Sequence, residues 1–228
     1  MEQSIVVLSH QDVIRQTNRG AVLLDLRPPR QYVQIHLANS LSVSGPRFGM
    51  ATLLDNRLAP STRLVLVADT AATGQVAADQ LKTMGIHVIG VLASQPSTWQ
   101  PRGLTVVRGI LVRPNEFLQY LGANPSVDLI DVRETVEQQQ YPFAPVTRNL
   151  PFSMWPDILP QASESNAATP LVFVAGHDER SVLAAWWAFQ RGYHNVGYLV
   201  GGMTRYLKGD GYDPRAMART TARHGVFI

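Results

Sequence analysis

Hydrophobic residues in this chain fall into short blocks separated by mixed stretches. "AVLLDL" (21–26), "RLVLVA" (63–68) and "LVFV" (171–174) are runs of Val, Leu and Phe too short for a helix. Such unalternating runs predict strands buried on both faces of a parallel sheet. "SIVVLS" reads as a strand edge, and Ser9 with Asp12 offers a capping pair for a helix running to about Arg19. Helical patterns alternate with the apolar runs, which predicts an α/β layered fold, small parallel sheets flanked by helices.

The blocks recur. "AVLLDLR" (21–27) aligns with "VDLIDVR" (127–133), setting Asp25 and Arg27 against Asp131 and Arg133. "LVLVADTAATGQVAADQLKTMGIHVIGVL" (64–92) aligns with "LVFVAGHDERSVLAAWWAFQRGYHNVGYL" (171–199) without a gap, so Gly85, His87 and Gly90 fall on Gly192, His194 and Gly197. A constant offset of about 106 residues predicts two similar domains. Pro96, Pro101 and Gly103 in "ASQPSTWQPRGL" place the join near residue 102, giving domains 1–102 and 103–228.

Composition narrows the chemistry. The 228 residues include no cysteine, which removes disulfides, thiolate metal sites and thiol nucleophiles from this chain. No apolar run is long enough to span a membrane, and "MEQSIVVLSHQDVIRQ" lacks a basic segment followed by an apolar one. Cytoplasm is the default location. The net charge of +3 owes much to arginine, and Arg215, Arg219 and Arg223 concentrate in the tail. A solvated tail is expected there rather than a nucleic-acid contact. No cofactor and no metal is expected.

The second copy carries a resemblance. An apolar strand leads into the loop Ala175, Gly176, His177, Asp178, Glu179 and Arg180. An apolar helical stretch is expected to open just after Ser181, and "GYHNVGYLVGGMTRYL" (192–207) comes next. The chain resembles tandem rhodanese-homology proteins, with "LLDLRPPRQYVQIHLANSLSV" in copy one similar to the family's "LLDVR…EY…GHIPGA" stretch and His36 on its histidine. The equivalent stretch of copy two departs from that pattern, with Phe143 near the histidine's place. In active members the first loop residue is a cysteine that takes up a sulfane sulfur and passes it to a thiophilic acceptor. The chemistry needs an activated thiolate, and backbone N–H groups at a helix start to cradle the anion.

The resemblance places that nucleophile at Ala175 in copy two and Ala68, first residue of loop 68–73, in copy one. A methyl group can neither attack nor hold sulfur. The expectation is a catalytically inactive binding or regulatory module linked to sulfur metabolism. The alternatives are a thiosulfate or mercaptopyruvate sulfurtransferase whose cysteine was replaced at Ala175, or an unrelated enzyme using His177 or Asp178. The candidate ligand loop is 175–180, for a small anion or a protein partner, supported by Asp131, Arg133, Ser181 and the turn at Gly201 and Gly202. Copy one has Ser94 and Gln95 in place of that turn and no cation in "ADTAAT". Trp186, Trp187 and Phe189 replace Asp79, Gln80 and Lys82 of copy one, which predicts packing between domains or a homodimer surface.

Overall fold

The computed structural model describes residues 4–43, 61–143, 146, 148–155, 157–163 and 168–209. The arginine-rich tail with Arg215, Arg219 and Arg223 lies outside the described residues. The chain divides into two units, Met1–Arg108 and Gly109–Ile228.

In the first unit, α1 (His10–Thr17) starts on the capping box foreseen from Ser9 and Asp12, each side chain binding the other residue's backbone N–H. The strands are β1 (Val22–Asp25), β2 (His36–Leu37), β3 (Leu41–Ser42), β4 (Arg63–Val67), β5 (His87–Leu92) and β6 (Val106–Val107). The helices α2 (Pro29–Gln34) and α3 (Ala71–Thr83) flank a parallel sheet of order β3-β1-β4-β5. One face packs Leu23, Val65 and Val67 with Val13, Leu37 and Trp99. The other packs Leu24, Leu64 and Leu66 with Ala77 and Leu81. Successive residues of one strand thus enter opposite cores, which is why the runs do not alternate with polar residues.

Residues 103–108 stay with this unit because β6 pairs antiparallel with β2, His36 opposite Val107. The Pro- and Gly-punctuated stretch around residue 102 forms short 3-10 turns that put Trp99 into the core, fully buried.

In the second unit the strands are β7 (Ile110–Val112), β8 (Asp128–Asp131), β9 (Arg148–Asn149), β10 (Leu171–Val174) and β11 (Val196–Leu199). All pair in parallel, in the order β7-β11-β10-β8-β9. The helices are α4 (Phe117–Ala123), α5 (Thr135–Gln140), α6 (Asp178–Gln190) and α7 (Gly202–Lys208). Phe117, Phe143 and Tyr206 stack and edge against one another in a core with Leu129, Val172 and Val174. The expected α/β architecture of parallel sheets flanked by helices is what forms. Among the described residues, no helix is long and apolar enough to cross a membrane.

The repeated glycine of β5 and β11 has one job in both units. A Cβ at Gly90 would stand 2.5 Å from the Val6 carbonyl oxygen, and one at Gly197 would overlap the Ile110 carbonyl. Each glycine admits the backbone of the outermost strand, bridged at Val7–Val91 in the first unit and fully paired as β7 in the second. Gly197→Ala should therefore cost about 3 kcal/mol, as overpacking against backbone does. Gly90→Ala should cost less, because a single bridge is displaced rather than a strand. Urea unfolding of the two variants checks the order.

Candidate functional site

The two Asp-x-Arg motifs build the same structure atom for atom. In the first unit Arg27 donates its backbone N–H to Asp25 Oδ1 and its Nε and Nη2 to the same carboxylate, while Nη2 also reaches the Ile35 carbonyl at 2.8 Å. In the second unit Arg133 repeats each bond to Asp131, and Nη2 reaches the Tyr141 carbonyl at 2.9 Å. Both pairs are buried at the C-terminal ends of their strands. Burial pushes the Asp25 carboxyl up, against the pull of the Arg27 guanidinium and N–H. Because each arginine is buried and its charge is paired, neither offers a charge to a ligand. Arg27 also lies 4.6 Å over the Trp99 ring.

The matching carbonyl bonds fix the correspondence between the segments beyond each arginine. Ile35 and Tyr141 play one part, so Pro142, rather than Phe143, stands where His36 does. His36 Nδ1 donates to the Tyr32 carbonyl at 2.8 Å, its ring stacked on Tyr32. Phe143 instead joins the core, as Leu37 does.

The loop of the second unit leaves β10 at Ala175, which is fully buried. It is shorter than expected. Helix α6 starts at Asp178, with His177 extended (φ −118°, ψ 170°) as its N-cap, so Asp178, Glu179 and Arg180 form its first turn. Two acids in a first turn complement the helix dipole, which explains the earlier start. Ser181 is not at the helix start but inside it, buried, its hydroxyl donating to the Asp178 carbonyl. The first unit behaves alike: after Ala68, Thr70 caps α3, which opens at Ala71 within the expected loop.

The turn at Gly201 and Gly202 clamps the loop from the other side. Met203 and Thr204 donate their N–H groups to the Ala175 and Gly176 carbonyls at 2.9 and 3.0 Å. Gly202 has φ +66°, and a Cβ there would lie 2.6 Å from the Gly176 oxygen. Gly201 N–H donates to Asp178 Oδ2 at 3.3 Å. In the first unit Ser94 occupies the matching place and accepts a hydrogen bond from Trp99 Nε1 instead.

Arg180 is engaged. Its Nη1 and Nη2 contact both oxygens of Glu137 at 2.6 and 2.8 Å. Glu137 Oε2 also receives the Glu134 N–H, closing the capping box of α5, and Glu134 in turn takes Ser153 N–H and Oγ–H. Asn149, in register with Asp131, donates to the Asp131 and Arg133 carbonyls and holds β9 to this edge. Its counterpart in the first unit is Ser42, in register with Asp25. Sequence reasoning singled out neither Glu137 nor Asn149. Glu134 and Glu137 stand at capping-box spacing ahead of a helical stretch, and that was the available signal.

The expected site residues 175–180, Asp131, Arg133, Gly201 and Gly202 thus share one end of the sheet. Trp186, Trp187 and Phe189 lie farther along α6, Trp186 buried and the others half-buried, with the two indoles edge to face at 4.9 Å. Among the described residues no group of His, Asp and Glu is arranged to hold a metal ion.

Residues 113–208, within the second unit, match the family model of rhodanese-like domains. No curated protein matches the chain. An uncharacterized protein from Saccharomyces cerevisiae is similar to 45% of this chain over 96% of its own, at 25% identity and a TM-score of 0.38. A thiosulfate sulfurtransferase from Pseudomonas aeruginosa is similar over 96% of this chain, which spans 47% of that protein, at 17% identity and a TM-score of 0.37. A 3-mercaptopyruvate sulfotransferase from Escherichia coli is similar over 86% of this chain and 98% of its own, at 12% identity and a TM-score of 0.31.

The Arg180 guanidinium and the Glu134 N–H hold the Glu137 carboxyl far below its ordinary value of 4.5, at about 2. A depressed carboxyl stabilises the fold fully above its unfolded pKa and loses that contribution as pH falls through the folded one. The melting-temperature difference between the wild type and Glu137→Gln should be constant at neutral pH and shrink between about pH 4.5 and 2. Because the pair is partly exposed, the difference should be small and weaker at high salt.

Proposed function

We propose that this chain is a non-catalytic relative of the sulfurtransferases, two rhodanese-type domains kept as a binding or regulatory module. The observation that carries this reading is Ala175 at the end of β10, where the resemblance places the sulfur-accepting cysteine, in a chain with no cysteine at all. Ala68 occupies the matching place in the first unit, which we take as the second, more divergent copy. The charge around the loop supports the same reading. A sulfur-transfer loop works by surrounding a thiolate and an anionic donor with positive charge and N–H groups. Here Glu137 neutralises Arg180, and Asp178 takes the Gly201 N–H. An anion such as thiosulfate meets carboxylates at the loop mouth.

A second reading has one observation in its favour. The loop's scaffold, with Met203 and Thr204 on its carbonyls, is well formed around Ala175, as it would be in an enzyme lacking one sulfur atom. A cysteine substitution separates the two. The purified chain should show no thiosulfate:cyanide or mercaptopyruvate turnover above buffer, and turnover would overturn the non-catalytic reading. Ala175→Cys should accumulate little persulfide on thiosulfate addition, detected by cyanolysis or mass, because the nearby carboxylates disfavour both thiolate and donor. Stoichiometric persulfide on that variant would favour the second reading.

A further inference from the structure

The surface beside the loop in the second unit combines exposed apolar side chains with acids. Val136 on α5 is 65% exposed, Tyr141 at its C-terminal end 73%, and Met154 on the 152–154 turn 56%. Two of them flank a contact between their segments, Val136 two residues after Glu134 and Met154 one after Ser153. The Glu134 carboxylate binds both polar hydrogens of Ser153, at 3.0 and 2.7 Å, so the start of α5 sits against the turn that carries Met154. Glu137 ties the same short helix to Arg180 at the loop. On these segments, and on the first turn of α6 that Arg180 joins to them, stand Glu134, Glu137, Asp178 and Glu179. Against them stand the guanidiniums of Arg180, bound by Glu137, and of Arg205, whose side chain packs on Gly201, while the charge of Arg133 is held beneath by Asp131.

We infer that this face docks a basic segment of a partner protein, one that carries arginine or lysine beside an apolar side chain. Exposed apolar residues rimmed by charge mark protein interfaces, and complementary charge selects the partner. Carboxylates in this number repel nucleic-acid phosphates and anionic lipid headgroups alike. The inference rests on the binding-module reading above and supplies the partner's chemistry for it.

The probe is a short labelled peptide of alternating Arg and Leu, with its Glu/Leu counterpart, titrated into the full chain by fluorescence anisotropy. The Arg/Leu peptide should bind and the Glu/Leu peptide should not. Val136→Ser with Met154→Ser, both exposed and outside the core, should weaken binding roughly fivefold or more. Glu179→Gln should weaken it and flatten its salt dependence. Val76→Ser, an equally exposed valine of the first unit, should leave it unchanged. Equal binding of both peptides, or indifference to the Val136 and Met154 changes, overturns the inference. Binding that appears only once residues 210–228 are removed would make the chain's own arginine-bearing tail the occupant and overturn the partner. Lost peptide binding in a chain without turnover strikes this inference alone, whereas turnover strikes the non-catalytic reading and leaves peptide binding standing.

Discussion

The buried Asp-x-Arg pair is the constraint from which both units are organised. A guanidinium removed from water needs its charge met, and here one carboxylate two residues back meets it through Nε and Nη2, while Nη1 of Arg27 stays buried without a hydrogen bond. Nη2 also reaches the carbonyl eight residues on, so one side chain pins the end of a central strand to the exit of the next helix. The segment between is short, and its helix, α2 or α5, is thereby fixed over the end of the sheet. In the second unit this is what holds Glu137 where Arg180 can meet it. The loop's electrostatics are inherited from a pair that itself offers nothing to a ligand.

At the loop, the backbone and the side chains answer to different constraints. The backbone clamps at Ala175, Gly176 and Gly202 do not depend on the side chain at position 175, so the loop keeps its shape with a methyl group there. The side chains around it are of a different character. Arg180 serves a structural ion pair, and Asp178 caps the opposing turn.

Much of this was legible in the sequence because it rests on short-range rules. Unalternating apolar runs marked β1, β4 and β10, the Ser9–Asp12 spacing marked α1, and the repeat aligned Gly90 with Gly197 and Asp25 with Asp131. The misses were of two kinds, local and long-range. The start of α6 depended on whether two acids would accept a helical first turn. Glu137 closes a local capping box, but its place at the loop comes from Arg180, 43 residues away. Phe143, near the place of His36 by sequence, stands one residue beyond it, because the count is held by the carbonyl bond of an arginine and not by side-chain similarity. The stretch around residue 102 has the composition of a linker, yet Trp99 within it is core.

That tryptophan gives the chain an optical partition. It is the sole tryptophan of the first unit, whereas Trp155, Trp186 and Trp187 all belong to the second. Enclosed and facing a guanidinium, its indole emission reports on one environment, the junction of the strand-end ion pair with the turns after β5. With the other three indoles replaced by phenylalanine, the spectrum would track the unfolding of the first unit by itself, and the remainder of the wild-type signal would track the second. Whether the two halves melt together or apart can then be read from the colour of the light they emit.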